Sequence, residues 1–159
     1  MFLSFSLNRL FKLIKDLDNI KNLILNIENE AKLNNFNRPI FLKVSPDESA
    51  ETIKSIADLI NLSNLTGLII SNTTIDKEIL HDKKNIDIDG GLSGAPLMKK
   101  STEILKVISN HNPELPIIGV GGVMCKSDFN EKINSGASLV QIYTGFIING
   151  PKIVSKILN

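Results

Sequence analysis

The sequence contains no tryptophan, one tyrosine and one cysteine. A single thiol, Cys125, excludes a disulfide framework and any multi-cysteine metal site. Histidine is nearly as scarce, with two residues. Neither His81 nor His111 belongs to an HxxH pattern or a carboxylate cluster, so no metal-ligand set is visible. An excess of one charge is missing as well. Eighteen basic residues face 17 acidic ones for a net charge of +1, which argues against a nucleic-acid binder that works by neutralising phosphates. No apolar run approaches the roughly 20 residues that a membrane-spanning helix needs. Internal repeats, low-complexity tracts and linkers are also absent.

What is present suits one globular domain with a real core: 159 residues, 42% of them hydrophobic. Met1 to Leu17 mixes apolar residues with Arg9, Lys12 and Lys15. A signal peptide would place its charge first, then an unbroken apolar stretch and a small-residue cleavage site. That order is not found. A basic amphipathic helix on a membrane surface and a helix packed on a core both fit the pattern. Apolar residues at Leu10, Leu13, Ile14, Leu17, Ile20, Ile24 and Ile27 keep helical spacing, with Asp18 suited to cap a second segment. Residues 1–37 therefore read as an N-terminal amphipathic helical segment, and 38–159 as a separate unit.

Strand and helix then alternate. Ile40–Val44, Leu68–Ser71, Pro116–Val120 and Leu139–Tyr143 are short apolar runs suited to strands buried on both faces. Ile53, Ile56, Ala57 and Ile60 mark one intervening helix, and Leu97 to Ile108, opened by Pro96, marks the next. A helix capped by Ser127 and stopped by Gly136 follows, and a last helix runs from Pro151. A long connection, about Ile75 to Ala95, exceeds ordinary loop length. This alternation predicts an α/β fold of βα units around a parallel sheet.

In such folds ligands bind where strands hand over to helices. The residues there are Lys43 and Ser45, Ser71 to Thr74, Gly119 to Gly122, and Tyr143 to Gly145, with Gly90 to Gly94 late in the long connection. Gly119-Val120-Gly121-Gly122 lets backbone N–H groups approach an anion, although a tight turn explains the glycines equally. Paired with Thr144-Gly145 after the next strand, it matches the phosphate site of (β/α)8 barrels, which lies after strands seven and eight. Lys43 interrupts an apolar strand. Its ammonium either reaches solvent, pairs with an acid or meets a ligand, and at a strand end it suits the ring of a flavin. Ser71-Asn72-Thr73-Thr74 offers amides and hydroxyls to a polar planar ligand, or forms an Asn/Thr turn. Cys125 has no base placed beside it and reads as an inert thiol.

IFLKVSPD (40–47), GLIISNTTID (67–76), GGLSGAPLMKKSTEIL (90–105), LPIIGVGGV (115–123) and GASLVQIYTGFIINGP (136–151) occur in series. Together they resemble dihydroorotate dehydrogenase, in particular the quinone-linked class 2. The resemblance implies the second half of a (β/α)8 TIM barrel, about four parallel βα units, preceded by the amphipathic helix. It implies FMN as cofactor, dihydroorotate and orotate as substrate and product, quinone as electron acceptor, and a role in pyrimidine synthesis. By the same resemblance Lys43 lies beside the flavin ring, and Ser71 stands where a threonine usually contacts FMN. Gly94 and Gly122 are FMN-contacting glycines, Tyr143 and Thr144 flank the flavin phosphate, and Asn72 and Thr73 hold the orotate ring and carboxylate.

The five motifs correspond to the C-terminal half of a family member. The first barrel strands, the membrane-associating helices and the loop with the base serine have no counterpart, and Ser4 and Ser6 lie outside any matching motif. No catalytic residue is therefore assigned. The expectation is a fragment without activity alone, served by a complementary N-terminal half-barrel chain, or a non-catalytic FMN- or phosphate-binding half barrel or inert remnant. The family is peripheral on the inner membrane, which makes this chain cytoplasmic or membrane-associated.

Overall fold

A computed structural model describes residues 17–80 and 90–159. The basic segment Met1 to Lys15, with Ser4 and Ser6, lies outside the described residues, as does His81.

Helix α1, Leu17–Leu33, has Asp18 in its first turn, where a carboxylate favours the helix dipole, and buries Ile20 and Ile24. Strand β1 is Phe41–Val44. Helix α2, Ala50–Asn61, starts at Ser49, whose hydroxyl accepts from Thr52 N–H, and buries Ile53, Ile56, Ala57 and Ile60. Strand β2 is Gly67–Ile70. Helix α3, Leu97–His111, follows the long connection, which an antiparallel bridge between Thr74 and Leu92 pins down. Then come β3 (Ile117–Val120), α4 (Lys126–Asn134) and β4 (Leu139–Gln141), and two short helices, α5 (Thr144–Asn149) and α6 (Lys152–Leu158).

The four strands form one parallel sheet in the order β1-β2-β3-β4. Lys43 pairs with Ile69, Ile70 with Gly119, and Val120 with Gln141. All four C-terminal ends therefore open on the same side. The central strands β2 and β3 are buried at every position, as continuous apolar runs predict. The outer strands are not, and Leu139 is 62% exposed. Each outer strand has only one strand neighbour among the described residues. The main core joins Ile20 and Ile24 of α1 to Ile53 and Ile56 of α2, Leu68 and Ile70 of β2, and Leu105 and Ile108 of α3.

Three local expectations change. Cys125, not Ser127, precedes α4: the Asp128 carboxylate accepts from Met124 N–H at 2.9 Å and Cys125 N–H at 3.1 Å, so the acid at the third helical position supplies the cap. The fourth strand ends at Gln141, and Tyr143 becomes the residue before α5. The last helix starts after Pro151 as expected, but a short helix not expected from the sequence, α5, precedes it, and Gly150 at φ +68° turns the chain between the two.

Candidate functional site

A cleft of about 450 Å³ opens at the C-terminal ends of the strands. It collects the residues that the resemblance assigned to cofactor and substrate: Lys43 from β1, Ser71, Asn72 and Thr73 after β2, Gly94 before α3, Gly122 after β3, and Tyr143 and Thr144 after β4; Ser45, Thr74, Gly90 and Gly119 do not line it. Sequence positions a hundred residues apart meet here because the parallel register brings the strand ends level.

Lys43 is half-buried, and desolvation lowers its pKa. No carboxylate pairs with it among the described residues. Ser71 is buried; its hydroxyl donates to Asn72 O at 2.9 Å and its N–H to Val120 O at 3.0 Å. Asn72 is fixed at both ends, by N–H donation to Val44 O at 2.8 Å and by its Oδ1 accepting from Thr73 N–H at 3.0 Å. These bonds fix the backbone here and leave the Asn72 amide NH2 and the exposed Thr73 hydroxyl at the rim.

On the opposite wall Thr144 Oγ1 donates to Ser93 Oγ at 3.0 Å, joining the loop after β4 to the end of the long connection. Gly94, at φ +79°, lies against the Thr144 methyl, 3.1 Å from where its own Cβ would stand. Gly122 has φ +82°, and a Cβ there would come 2.5 Å from Met98 N. The glycine is therefore required by the close approach of this loop to the start of α3, a packing reason that the sequence did not reveal. Tyr143 is 72% exposed at the mouth.

The remaining candidates lie elsewhere. Cys125 is exposed, its Sγ 2.9 Å from Ser127 Oγ and 3.2 Å from Asp128 Oδ2. His111 Nε2 is 2.8 Å from Asp58 Oδ1 between α3 and α2. Among the described residues no group of acids, histidines and cysteines could hold a metal. The sequence reading missed Gln141, whose Oε1 is buried without a partner among the described residues while the residue lines the cleft. The available signal was an amide at the end of the apolar run Leu139-Val140-Gln141.

Four parallel βα units whose strand ends converge on one glycine-edged cleft define part of a (β/α)8 barrel with its site at the usual end. The chain belongs to the dihydroorotate dehydrogenase family, whose model matches residues 11–159. It is 44% identical over 144 residues to dihydroorotate dehydrogenase (quinone) of Escherichia coli O1:K1, across 89% of this chain and 43% of that protein. The same figures hold for the Escherichia coli O127:H6 protein. Among solved structures, DHODH of Eimeria tenella in complex with ferulenol superposes with a TM-score of 0.83 at 29% identity, covering 91% of this chain and 43% of its own. The ligand-free Eimeria tenella enzyme gives 0.82 at 29% identity, covering 92% and 45%. The chain thus spans less than half the length of these relatives.

Proposed function

We propose that this chain is the flavin-holding part of a quinone-linked dihydroorotate dehydrogenase and takes FMN in the cleft at the ends of β1 to β4. The observation that carries this reading is the convergence of Lys43, Ser71, Gly94, Gly122, Tyr143 and Thr144 on one cleft of about 450 Å³. That size lies within the roughly 300–1,000 Å³ of small-molecule sites. The donor set suits the cofactor. Gly94 and Gly122 offer close backbone approach to a phosphate, and the Thr144–Ser93 hydroxyl pair offers the one proton that its own hydrogen bond leaves free. Unpaired Lys43 offers its charge to the ring, and Gln141 Oε1 is an acceptor in need of a donor.

When bound, FMN accepts the electrons taken from dihydroorotate and passes them to quinone. Asn72 and Thr73 hold the substrate ring and carboxylate through the amide and hydroxyl that remain at the rim. Lys43 and Tyr143 are the only ionisable groups of the described lining, so removal of the substrate proton falls to a base on another segment. Catalysis then needs a complementary N-terminal half barrel, continuous with this chain or separate. The single strand neighbour of β1 and of β4 among the described residues supports that need, as do exposed Leu139, Phe146, Ile147 and Ile148. Quinone reduction puts the assembled enzyme at the cytoplasmic face of the inner membrane as a peripheral protein. No described helix is long and apolar enough to cross a membrane. A non-catalytic FMN-binding half barrel is the second reading, favoured by the absence of an acid or histidine from the described lining.

The experiment is flavin binding and reduction by the purified chain, alone and with a family N-terminal half. FMN retention by the chain, with dihydroorotate-dependent bleaching only in the mixture, is expected. Failure to bind FMN in either setting overturns the reading. Binding without bleaching in the mixture selects the non-catalytic one.

A further inference from the structure

Beneath the glycine loop lies a charge that the cleft does not use. Lys132 of α4 is fully buried, and its Nζ donates to Ser101 Oγ of α3 at 2.6 Å. Its stem passes under β3, since a Cβ on Gly119 would stand 3.4 Å from Lys132 Cδ. Ser101, also fully buried, has its Oγ 3.1 Å from Gly121 O and 3.2 Å from Met98 O. A serine hydroxyl has one proton. Met98 O already receives Thr102 Oγ1 at 2.7 Å, whereas Gly121 O has no other donor among the described residues. In a trans peptide the carbonyl and the following N–H point in opposite directions. A Gly121 carbonyl turned inward to Ser101 therefore turns Gly122 N–H outward, and among the described residues nothing accepts from it.

We propose that Lys132 is a positioning residue for the anion site: by donating to Ser101 it commits the Ser101 proton to Gly121 O and so holds Gly122 N–H toward the cleft. This rests on the reading of the cleft as a phosphate site. The arrangement depends on an ammonium, which can only donate. A neutral amine can accept instead, and the Ser101 proton then swings from Gly121 O to Lys132 Nζ. Desolvation brings the Lys132 pKa down to about 8, against smaller opposing contributions from Asp128 and Glu131 of its own helix. The α3 group at this junction is Lys106, 4.0 Å from Glu131. Helix α6 contributes exposed Lys152 and Lys156, and β3 and β4 carry no ionisable side chain. Lys43 and Tyr143 line the cleft itself.

The test compares the affinity of this chain for FMN and for riboflavin, which lacks the phosphate, between about pH 7 and 9.5. The FMN phosphate keeps one charge state there, because its second pKa is about 6. Ring titration affects both ligands and cancels in the ratio. The FMN-to-riboflavin ratio of the wild type is expected to fall about tenfold across the titration of Lys132. Lys132→Met, close to the lysine stem in shape, is expected to show the low ratio at every pH with riboflavin affinity unchanged. Ser101→Ala, a smaller change, should do the same, and Lys132→Arg, whose charge does not titrate, should keep the high ratio throughout. An undiminished ratio in Lys132→Met or Ser101→Ala overturns the proposal, as does parallel loss of both ligands. A pH-independent ratio in the wild type overturns it from the titration alone. A wild type that never prefers FMN to riboflavin overturns the phosphate reading itself, and this inference with it.

Discussion

Lys100 Nζ lies 2.6 Å from Asp47 Oδ1, and this ion pair ties the start of α3 to the loop after β1. Lys100 also reaches Asp76 Oδ2 at 3.0 Å and Thr74 Oγ1 at 3.2 Å. Asp47 accepts from the Thr74 hydroxyl and from Ile75 N–H at 2.9 Å. Thr74 is buried and immediately follows Asn72 and Thr73, so the cluster clamps the segment that presents those side chains to the cleft. Burial works against both charges, but the hydrogen bonds and the opposite charge outweigh it. The Asp47 carboxyl is held below its ordinary pKa and the Lys100 ammonium above its own.

Asp47→Asn should therefore destabilise the fold by about 1–3 kcal/mol in urea unfolding. The pH dependence has a definite sign. A carboxylate with a depressed folded pKa contributes stability above its unfolded value near 3.9, and that stability is lost as pH falls through the folded value. Lys100, raised, contributes below its unfolded value, and the contribution is lost as pH rises through the folded one. Asp47→Asn should flatten the acid slope. An acid slope identical to that of the wild type would assign it to other carboxylates.

For Lys132 the sign is opposite to that of Lys100. Its folded pKa of about 8 lies below the ordinary 10.5, so the unfolded chain binds more protons between these values and stability rises with pH across that window. The full rise is about 3 kcal/mol at most. Urea midpoints at stepped pH should show it in the wild type and lose it in Lys132→Met, which should also be the more stable chain near neutrality.

Lys43→Met should leave folding intact, because among the described residues no ion pair is broken. In an assembly that retains FMN the flavin potential should fall by about 30 mV or more, equivalent to about 1.4 kcal/mol for two electrons. An unchanged potential with FMN bound would make Lys43 an ordinary strand-end lysine.

Gly122→Ala should already lower both stability and FMN affinity, since the added methyl would overlap the start of α3 rather than fill the cleft. Asn72→Ala should spare FMN and weaken orotate by about tenfold, through the lost amide contacts. Flavin fluorescence titration with and without orotate separates the two effects.

The parts of this fold that were legible are those where one physical demand acts alone. Strands β2 and β3 are covered on both faces, so every position must be apolar, and Leu68 to Ile70 and Ile117 to Val120 declare themselves. The glycines and hydroxyls at their ends stand out by contrast. Helix α5 was hidden because Phe146, Ile147 and Ile148 continue an apolar run without helical spacing, and all three are exposed. Lys132 was invisible for another reason. In a polar helix a lysine reads as solvated, and only the tertiary packing of α4 on α3 and β4 encloses it. The Lys100–Asp47 pair likewise joins segments that nothing local connects.

The outer strands are short, four residues in β1 and three in β4. A parallel neighbour laid along β4 gains only about three backbone hydrogen bonds, and a slip of two residues forfeits most of them. Such an edge is a poor template for runaway polymerisation, which feeds on long ladders. It is equally poor at choosing a mate. In the proposed assembly, fidelity of pairing on that side would rest on shape, on how the complementary half seats exposed Leu139 and Phe146.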